Sequence, residues 1–491
     1  MKSFSEGLNY IKENILSLEG KIPEYISGIS LDSRKINRDE IFFAMPGQRD
    51  DGKKYINDAI RKGAKVIVYE GEYNGEVHKG ILYIKVKDIY RALGKISSWY
   101  YDFPSQKLTI VGVTGTNGKT TTTHLLYHLW RIKGEKAGLI GTIYNKINDE
   151  ILSTNFTTPQ PPELQALLKR MVDNDVKYVA MEVSSHALAL RRTEELYLDG
   201  AVFTNLTQDH LDFHKTMEEY FNAKKKIFDH LKPHGFCVLN KDDPWIRKVN
   251  IIDKMVLWFS FDSNSEIYPI YWENKREGLI IKLHTPKGFL ELNLKLRGKF
   301  NISNIMSATG VAIALNEDLN IIKKAWESFP QVPGRLEFVD EGQDFSVIVD
   351  YAHTPDGLLN LLKAVSEFTE GKKILVFGCG GDRDPYKRPK MGEIAGYYSD
   401  VVIITSDNPR TEDPMKIIRE IEQGIKLSNF KNYMIIENRE EAIKTAINIA
   451  LPKDSVIIAG KGHEDYQIIG TTKIPFSDKE VARKYIRERI K

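Results

Sequence analysis

Apolar and polar positions along the chain alternate in short blocks that predict an α/β protein. Short, mainly apolar runs are typical of buried strands, and longer stretches with an apolar residue at every third or fourth position indicate amphipathic helices. In the first hundred residues, strands are predicted at 40–44, 65–69 and 80–86, and helices at 55–63 and 89–101. Pro104 and Ser105 then interrupt the pattern, which predicts a small α/β domain over residues 1–105.

Residues 106–332 repeat this pattern and are predicted to form a central sheet domain. The apolar run at 108–113 indicates a strand that is buried on both faces. A helix is predicted after it, because Leu125, Leu129 and Ile132 share one face at helical spacing. Further strands are predicted at 178–183 and 201–206.

The C-terminal part, residues 333–491, is predicted to form a second open sheet of the Rossmann-like kind. The Gln-Val-Pro-Gly segment at 331–334 separates it from the central domain, because proline and glycine interrupt regular structure. Beyond this segment, apolar runs alternate with helical patterns, as is typical of open α/β sheets. The predicted strands lie at 346–349, 374–377, 401–405, 433–436 and 455–459.

Composition and charge then narrow the function classes. The 491 residues carry a net charge of +3, which is too small for the basic surface of a typical nucleic-acid-binding protein. No run approaches the roughly 20 apolar residues of a membrane span, and the N-terminus lacks the apolar core of a signal peptide. Cys237 and Cys379 are too few for a disulfide framework and are expected to be packing residues. We therefore expect a cytoplasmic enzyme without a nucleic-acid partner.

One segment has the pattern of a phosphate-binding loop. The sequence Thr-Gly-Thr-Asn-Gly-Lys-Thr at 114–120 lies between a predicted strand and a predicted helix, where backbone N–H groups and a helix N-terminus bind phosphate. Lys119 is expected to neutralise the β- and γ-phosphates, and the Thr120 hydroxyl is expected to reach Mg²⁺. Val113 stands where the usual pattern has its first glycine. Nucleotide binding follows, but kinases, GTPases, motor ATPases and ligases all share such loops.

This loop resembles that of the Mur ligases, and further motifs of that family follow in the family's order. They are Thr-Thr-Pro at 157–159, Glu-Val-Ser-Ser-His at 182–186, Asp-His-Leu-Asp at 209–212, Pro-Gly-Arg at 333–335, Asp-Tyr-Ala-His at 350–353, Gly-Gly-Asp-Arg-Asp at 380–384, Asp-Asn-Pro-Arg at 407–410 and Gly-Lys-Gly-His-Glu at 460–464. So many ordered motifs are far more specific than any one of them. Because they span nearly the whole chain, the sequence is identified as a member of this family.

The resemblance implies a three-domain, monomeric enzyme that binds a UDP-linked sugar peptide, ATP and an amino acid with its first, second and third domains. ATP phosphorylates the terminal carboxylate of the precursor, and an amine attacks the acyl phosphate to give an amide, ADP and phosphate. Within the family the chain is most similar to the tripeptide synthetases of peptidoglycan precursor synthesis, which implies UDP-MurNAc-L-Ala-D-Glu as the acceptor. ATP contacts are implied at Gly115, Thr116, Asn117, Gly118, Lys119, Thr120, Thr121, Asn301, Arg335 and Asp350. Contacts with the UDP substrate are implied at Leu31, Ser33, Gln48, Arg49, Asp50, Thr157, Thr158, Ser184 and Arg192.

Mg²⁺ is the expected cofactor, with ligands at Thr120, Glu182, His210 and Lys224. Glu182 lies near the C-terminal end of a predicted buried strand, where a hard carboxylate suits Mg²⁺. The resemblance implies that His210 supplies another contact and that Lys224 carries a carbamate, which turns a cation into an anion. By composition alone, Lys224 belongs to a solvated helix face. The expected catalytic residues are Lys119, Glu182, His210 and Lys224.

The motif at 407–410 resembles the form found in family members that add meso-diaminopimelate. The residues expected to bind this amino acid are Arg383, Asp407, Asn408, Pro409, Arg410, Gly460 and Glu464. Arg410 can pair with the distal carboxylate of diaminopimelate, whereas the side chain of L-lysine ends in an ammonium group that an arginine repels. Lanthionine carries the same two charged groups at its distal end, so it is a further candidate for the added amino acid. L-lysine is the alternative substrate.

Two other function classes differ from this interpretation in testable ways. A ligase of the folylpolyglutamate synthase type shares the phosphate-loop layout but lacks the first domain and the loop at 407–410. A non-catalytic nucleotide-binding scaffold would not form ADP in response to the acceptor and the amine together.

Overall fold

The computed structural model of the chain describes residues 2–47, 50–275 and 277–490. Its contacts divide the chain into two compact units. The first comprises Met1–Gly112, Glu135–Asp199 and Lys226–Gly235, and the second comprises Val113–Gly134, Gly200–Lys225 and Phe236–Lys491. None of the helices in the described ranges is both long enough and apolar enough to cross a membrane.

The N-terminal part of the first unit is built around a five-stranded sheet. Its elements are β1 (Lys2–Ser3), α1 (Phe4–Ile11), β2 (Ile15–Glu19), β3 (Tyr25–Ile26), β4 (Ile29–Ser30), β5 (Ile41–Phe43), α2 (Ile56–Lys62), β6 (Val66–Glu70), β7 (Leu82–Val86) and α3 (Ile89–Tyr100). The strand order is β2-β7-β6-β5-β4, with β2 antiparallel to β7 and the other neighbours parallel. Successive residues point to opposite faces of a strand, so Ile41 and Phe43 pack with α1 and α3, and Phe42 packs with α2.

The central part of the chain contributes to both units. Its elements are β8 (Thr109–Thr114), α4 (Lys119–Ile132), β9 (Ala137–Ile140), β10 (Asn145–Ile147), β11 (Glu150–Leu152), α5 (Pro161–Asp173), β12 (Tyr178–Glu182), α6 (Ser185–Ala189), β13 (Leu198–Phe203), α7 (Leu211–His214), α8 (Met217–Lys225), β14 (Leu231–Asn240), β15 (Met255–Phe259), β16 (Tyr268–Asn274), β17 (Leu279–Thr285), β18 (Gly288–Leu294), α9 (Lys299–Ala314) and α10 (Leu319–Ser328). In the first unit the strand order is β11-β10-β9-β12-β8. In the second unit it is β8-β13-β14-β15, and strands β16, β17 and β18 form a separate antiparallel sheet.

The C-terminal part belongs to the second unit and forms a six-stranded sheet. Its elements are β19 (Glu337–Phe338), β20 (Ser346–Asp350), α11 (Pro355–Ser366), β21 (Lys373–Phe377), α12 (Lys387–Tyr398), β22 (Val401–Ile404), α13 (Pro414–Leu427), β23 (Tyr433–Ile435), α14 (Arg439–Ile449), β24 (Ser455–Ala459), β25 (Tyr466–Ile469), β26 (Thr472–Pro475) and α15 (Asp478–Ile490). The strand order is β19-β20-β24-β21-β22-β23, and only β19 is antiparallel to its neighbour. Leu375 and Phe377 face α11 to α13, while Ile374 and Val376 face α14 and α15. Helices therefore cover both faces, and the loops after β20, β21, β22 and β24 meet at one edge.

Six short 3-10 helices complete the regular structure of the described residues. They span Lys12–Asn14, Ser33–Lys35, Gly52–Tyr55, Pro104–Gln106, Lys226–His230 and Ile246–Lys248. The strands and helices expected from the apolar pattern are confirmed within about three residues at each end, as boundary uncertainty allows. Cys237 and Cys379 are free and buried, which confirms their expected role in packing.

A buried ion pair joins two helices of the six-stranded sheet domain. Arg439, the first residue of α14, donates from Nε and Nη2 to the two oxygens of Asp478 at 2.7 Å each, and both side chains are wholly buried. Removal of one partner would leave an uncompensated charge in the interior. We expect Arg439→Met to lower the free energy of unfolding by about 3–5 kcal/mol in chemical denaturation.

The control for this prediction is Lys453→Met, which breaks the ion pair of Lys453 with Glu370, in which both side chains are 68% exposed. A pair at that exposure contributes about 0–1 kcal/mol. The double variant Arg439→Met, Asp478→Leu should recover most of the lost stability, because no charge then stays buried alone. Equal losses in the single and double variants would contradict the argument.

Candidate active site

The phosphate loop follows β8 directly and ends at α4, and two of its positions require glycine. Gly115 and Gly118 have φ values of +144° and +89°, a region that side chains with a Cβ avoid. A Cβ atom on Gly115 would lie 1.9 Å from Oγ1 of Thr204, and one on Gly118 would lie 2.4 Å from Oδ1 of Asn304. The backbone can approach these side chains only without a Cβ. This geometry explains the glycines and leaves Val113 free to be a buried strand residue.

Residues that follow β13 hold the loop in this conformation. The backbone N–H of Asn117 donates to Oδ1 of Asn205 at 2.8 Å, and that of Thr116 donates to the carbonyl of Asn205 at 2.9 Å. The hydroxyl of Thr204 donates to the carbonyl of Asn117 at 2.6 Å. A loop fixed in this way keeps the N-terminus of α4 in position for an anionic ligand.

Two lysines converge on one backbone carbonyl of the loop. Nζ of Lys119 donates to the carbonyls of Gly115 and Thr116 at 2.8 Å each, and Nζ of Lys224 donates to the carbonyl of Gly115 at 2.7 Å. Lys224 is 1% exposed, so its position on α8 is not the solvated face that composition alone indicates. Burial, together with the charge of Lys119, lowers the pKa of the Lys224 amine well below its usual value. Burial and the neighbouring cation thus both disfavour the charged form of Lys224.

A cavity of about 480 Å³ opens beside this loop. The expected ATP residues that line it are Asn117, Gly118, Thr120, Thr121, Arg335 and Asp350. Nη2 of Arg335 donates to the hydroxyl of Thr120 at 3.2 Å. Asn301 does not line the cavity but accepts a hydrogen bond from Asn304, which does, at 2.9 Å.

Asp350 and Asp356 are two carboxylates at this cavity. The oxygens of Asp350 accept the backbone N–H groups of Leu336 at 2.6 Å and Ala352 at 2.7 Å, and burial raises its pKa despite the charge of Arg335. Asp356 accepts a hydrogen bond from the side-chain amide of Asn117 at 2.9 Å, and burial raises its pKa as well. Asp356 was not expected from the sequence.

A second cavity, of about 210 Å³, lies at the edge where the loops of the six-stranded sheet meet. The expected residues that line it are His210, Arg383, Asp407, Asn408, Arg410, Gly460 and Glu464. Pro409 does not line it, but its carbonyl lies 1.9 Å from where a Cβ on Gly381 would be, so Pro409 and Gly381 fix the path of the loop. Acidic and basic side chains thus face one small volume, which suits a zwitterion.

Arg410 is held by backbone contacts that leave much of its guanidinium available. It has a φ of +52°, and its N–H and carbonyl pair with Ile468 at 3.1 Å and Gly470 at 2.8 Å, in the β25–β26 hairpin. Nη1 donates to the carbonyl of Gly381 at 2.8 Å, whereas Nε and Nη2 donate to no residue of the described chain. Burial and the nearby Arg383 lower the pKa of Arg410. Two arginines that repel each other in this way favour an anionic ligand group.

His353 lines both cavities and was not expected from the sequence. Its Nδ1 lies 2.8 Å from the carbonyl of Tyr351, an acceptor, so Nδ1 carries the proton and Nε2 keeps its lone pair. Burial and the charge of Lys387 lower the pKa of His353 to about 4. The histidine is therefore uncharged at neutral pH.

The other expected site residues lie in the first unit, where several of them form a cluster around Glu182. This carboxylate is wholly buried at the end of β12 and accepts from the backbone N–H and the hydroxyl of Thr142 at 3.0 and 2.9 Å. The hydroxyl of Thr157 lies 3.1 Å from that of Thr142, and the hydroxyl of Thr158 donates to the carbonyl of Glu182 at 2.9 Å. Ser184 caps α6 through a hydrogen bond from Ala187 at 3.2 Å.

Arg192 belongs to the same cluster and has spare hydrogen-bonding capacity. Its guanidinium carbon lies 4.7 Å from the ring centroid of Phe156, and Nη1 is 3.4 Å from the carbonyl of Thr158. Nε is buried and has no hydrogen-bond partner in the described chain. A buried donor without a partner costs free energy, so this position fits a ligand acceptor.

The expected uridine contacts lie elsewhere in the first unit. Leu31 packs against the core of the five-stranded sheet, and Ser33 is buried in a 3-10 helix. Asp50 is exposed and pairs with Lys54 at 2.8 Å and with the hydroxyl of Tyr55. Gln48 and Arg49 lie outside the described residues.

Among the described residues, no group of three or more His, Cys, Asp and Glu side chains could hold a metal ion. Mg²⁺ typically keeps several waters and binds through one or two carboxylates and the phosphates of a substrate. The hydroxyl of Thr120 and the carboxylate of Glu182 are oxygen donors of the kind Mg²⁺ prefers. A carbamate on Lys224 would supply oxygen donors of the same kind.

Comparison with known proteins identifies the family of this chain. The chain matches descriptions of the Mur ligase family catalytic domain at residues 25–101, the Mur ligase middle domain at 113–312 and the Mur ligase glutamate ligase domain at 334–462. A protein from Caldanaerobacter subterraneus subsp. tengcongensis is 44% identical over 94% of this chain and 95% of its own length. The chain belongs to the Mur ligase family.

Two further proteins show which members of the Mur ligase family are similar to this chain. A protein from Gloeobacter violaceus is 45% identical over 94% of each chain. It and the Caldanaerobacter protein are both named UDP-N-acetylmuramoyl-L-alanyl-D-glutamate–2,6-diaminopimelate ligase. A solved structure of a ligase with the same name is 30% identical, with a TM-score of 0.69 over 100% of this chain and 99% of that one.

This Mur ligase has the three-domain α/β fold of its family, and it is an ATP-dependent ligase that forms a C–N bond. The expectations of family, fold class and enzyme class are confirmed. The domain boundaries near residues 105 and 332 and the roles of individual site residues stay predictions.

Proposed function

We propose that this Mur ligase joins meso-diaminopimelate, or a close analogue such as lanthionine, to the D-Glu of UDP-MurNAc-L-Ala-D-Glu in peptidoglycan precursor synthesis. The observation that carries the proposal is the small cavity in which Arg383 and Arg410 face Asp407 and Glu464. The similarity to ligases named for 2,6-diaminopimelate supports it. Because the reaction consumes ATP, we place the enzyme in the cytoplasm, and we expect a monomer.

The proposed reaction has two steps. The γ-phosphoryl group of ATP passes to the D-Glu carboxylate, which gives an acyl phosphate and ADP. The amine of the incoming amino acid then attacks the acyl carbon, so that a C–N bond forms, the C–O bond to phosphate breaks, and the nitrogen loses a proton. The products are an amide and inorganic phosphate. The loop at 114–120 and Lys119 bind the phosphates of ATP, and the cavity beside them holds the nucleoside.

The charges of the second cavity favour an amino acid with a carboxylate at its distal end. Nε and Nη2 of Arg410 are available for a carboxylate, and an arginine can bind it with two parallel hydrogen bonds. An L-lysine side chain would bring an ammonium group to Arg410 and Arg383, which is repulsive. L-lysine is therefore the alternative substrate and not the preferred one.

We assign the remaining expected residues to the acceptor and to Mg²⁺. Residues 1–105 bind the UDP end through Leu31, Ser33 and the segment at 48–50, and the cluster of Thr157, Thr158, Ser184 and Arg192 binds the sugar peptide, supported by the partnerless Nε of Arg192. Thr120, Glu182, His210 and carbamylated Lys224 hold Mg²⁺. When bound, the metal neutralises the charges that ATP and the carboxylate bring together. In the same proposal, residues 106–332 bind ATP and residues 333–491 bind the amino acid.

Phosphate release tests this function. Purified enzyme receives ATP, Mg²⁺ and UDP-MurNAc-L-Ala-D-Glu, with meso-diaminopimelate in one reaction and L-lysine in another. We expect phosphate and a tripeptide product with diaminopimelate alone, and no ADP without both the acceptor and the amine. Exclusive use of L-lysine would refute the argument from Arg410. Release with neither amino acid, followed by release with lanthionine, would identify the analogue, whereas use of a folate acceptor would favour the folylpolyglutamate synthase alternative.

A further inference from the structure

Lys461 is a wholly buried lysine that contacts two residues of the second cavity. Its side chain is 0% exposed, and Nζ lies 2.9 Å from Oε2 of Glu464 and 3.1 Å from Oδ1 of Asn408. A buried ammonium group is costly unless it is paired and hydrogen-bonded, and these two side chains meet that need. Both of them line the cavity, whereas Lys461 itself does not.

The backbone around Lys461 leaves it little freedom to move. The glycines on either side, Gly460 and Gly462, have φ values of +117° and +53°. A Cβ on Gly460 would lie 2.6 Å from Oδ2 of Asp407, and one on Gly462 would lie 2.7 Å from the carbonyl oxygen of Gly334. This close packing sets the direction in which the lysine side chain leaves the backbone.

Lys461 and the backbone N–H of Ile468 together fix which way the amide of Asn408 points. An ammonium group only donates hydrogen bonds, so the atom of Asn408 that faces it must be the oxygen. The same oxygen also accepts the backbone N–H of Ile468 at 2.9 Å. The amide nitrogen is thereby turned to the other side, where it donates to Oε2 of Glu464 at 2.9 Å.

Glu464 is left with one oxygen for a ligand. Its Oε2 accepts from both Lys461 and Asn408, while Oε1 accepts no hydrogen bond from any residue in the described chain. The side chain is 14% exposed, and it lines the cavity together with the two arginines. Oε2 is thus held by Lys461 and Asn408, and Oε1 is available to an ammonium group in the cavity.

We propose that Lys461 is a positioning residue that sets the affinity for the incoming amino acid by holding Glu464, directly and through Asn408, toward the ammonium group of that amino acid. The inference rests on the proposed function, since it concerns the amino-acid site. Without Lys461 the carboxylate of Glu464 keeps only the hydrogen bond from Asn408, and a partly buried carboxylate with fewer partners turns toward water. That loss of orientation outweighs any gain from the removal of a neighbouring positive charge.

The test is steady-state kinetics of Lys461→Met, a change that keeps the length of the side chain and removes its charge. We expect the KM for diaminopimelate to rise roughly 10-fold or more, as the loss of hydrogen bonds to charged groups implies. The KM for ATP, the KM for the UDP substrate and kcat should each stay within about 2- to 3-fold, because uniform binding alone is lost. Lys461→Arg, which restores a cation that donates hydrogen bonds, should recover part of the affinity.

Lys473→Met is the matched control. Lys473 is exposed on β26, and its Nζ lies 4.1 Å from the ring centroid of Tyr466, against which Nζ of Lys461 also lies, at 5.5 Å. The control removes a lysine from the same ring but not from Glu464, and all its kinetic constants should match those of the wild type. Lys461→Met combined with Glu464→Gln should be little worse than Glu464→Gln alone, because both changes disable one carboxylate.

Three results would overturn the proposal: an unchanged KM for diaminopimelate, a parallel rise of all three KM values with a lower Tm, or effects of Lys461→Met and Glu464→Gln that multiply. Failure of the proposed function is a separate result, because it shows in the wild-type enzyme. If the wild type uses another amino acid in place of diaminopimelate, the same variants are measured with that amino acid, and the same three results decide.

Discussion

Lys224→Ala is expected to lose amide formation by about 100-fold or more while the protein stays folded, as the loss of a metal ligand implies. The reason lies in the contact of Lys224 and Lys119 with one carbonyl, that of Gly115. Two ammonium groups at one buried acceptor would repel each other, and a neutral amine at Lys224 removes this repulsion. A carbamate there goes further, because it turns the repulsion into an attraction and supplies oxygen donors for Mg²⁺.

Lys225→Ala is the matched control for this prediction. Lys225 follows Lys224 on α8 but is exposed, so its loss should leave the rate and the Tm unchanged. Phosphate release is measured for both variants, with circular dichroism to show that each is folded. Wild-type activity should also fall in buffer freed of carbon dioxide and return with bicarbonate. An active Lys224→Ala variant, or a wild type indifferent to carbon dioxide, would refute the carbamate.

The apolar pattern predicted those strands best whose two faces are both buried. Strand β24 is apolar from Val456 to Ala459 because Val456 and Ile458 pack on one face and Ile457 and Ala459 on the other. The antiparallel strands β16 to β18 were not predicted, because outward-facing polar residues interrupt the apolar run, as in β18 with its exposed Glu291. The β25–β26 hairpin was also not predicted, because β26 is exposed along its whole length and has no buried face to give an apolar pattern.

The candidate site shows a similar limit. The glycines of the phosphate loop and Arg410 could be predicted from the sequence. Only a few residue types suit a tight turn or bind a carboxylate. Asp356, His353 and Lys461 are polar residues of common types, and their roles depend on which strand ends the sheet brings together. Strand order joins β20, β21, β22 and β24, which are far apart in sequence. Sequence patterns alone do not specify that order.

Arg410→Met is expected to raise the KM for diaminopimelate about 10- to 100-fold, the range that hydrogen bonds to charged groups contribute. The KM for ATP should change little, since Arg410 lines the second cavity and not the first. The backbone of Arg410 has a φ of +52°, and methionine meets the same strain there as arginine, so the change isolates the guanidinium. Arg410→Lys should restore the charge but not the two parallel hydrogen bonds, and its KM should lie between the other two.

The same variant tests specificity as well as affinity. With Arg410 removed, less positive charge faces the ammonium group of L-lysine, so the ratio of kcat/KM for diaminopimelate to that for L-lysine should fall in Arg410→Met. Arg419→Met serves as the control, because Arg419 is exposed on α13 and should leave both KM values and their ratio unchanged. A variant that loses affinity for both amino acids equally would show that Arg410 binds a group they share. In that case the distal carboxylate of diaminopimelate would have to be recognised by Arg383, whose charge faces the same cavity.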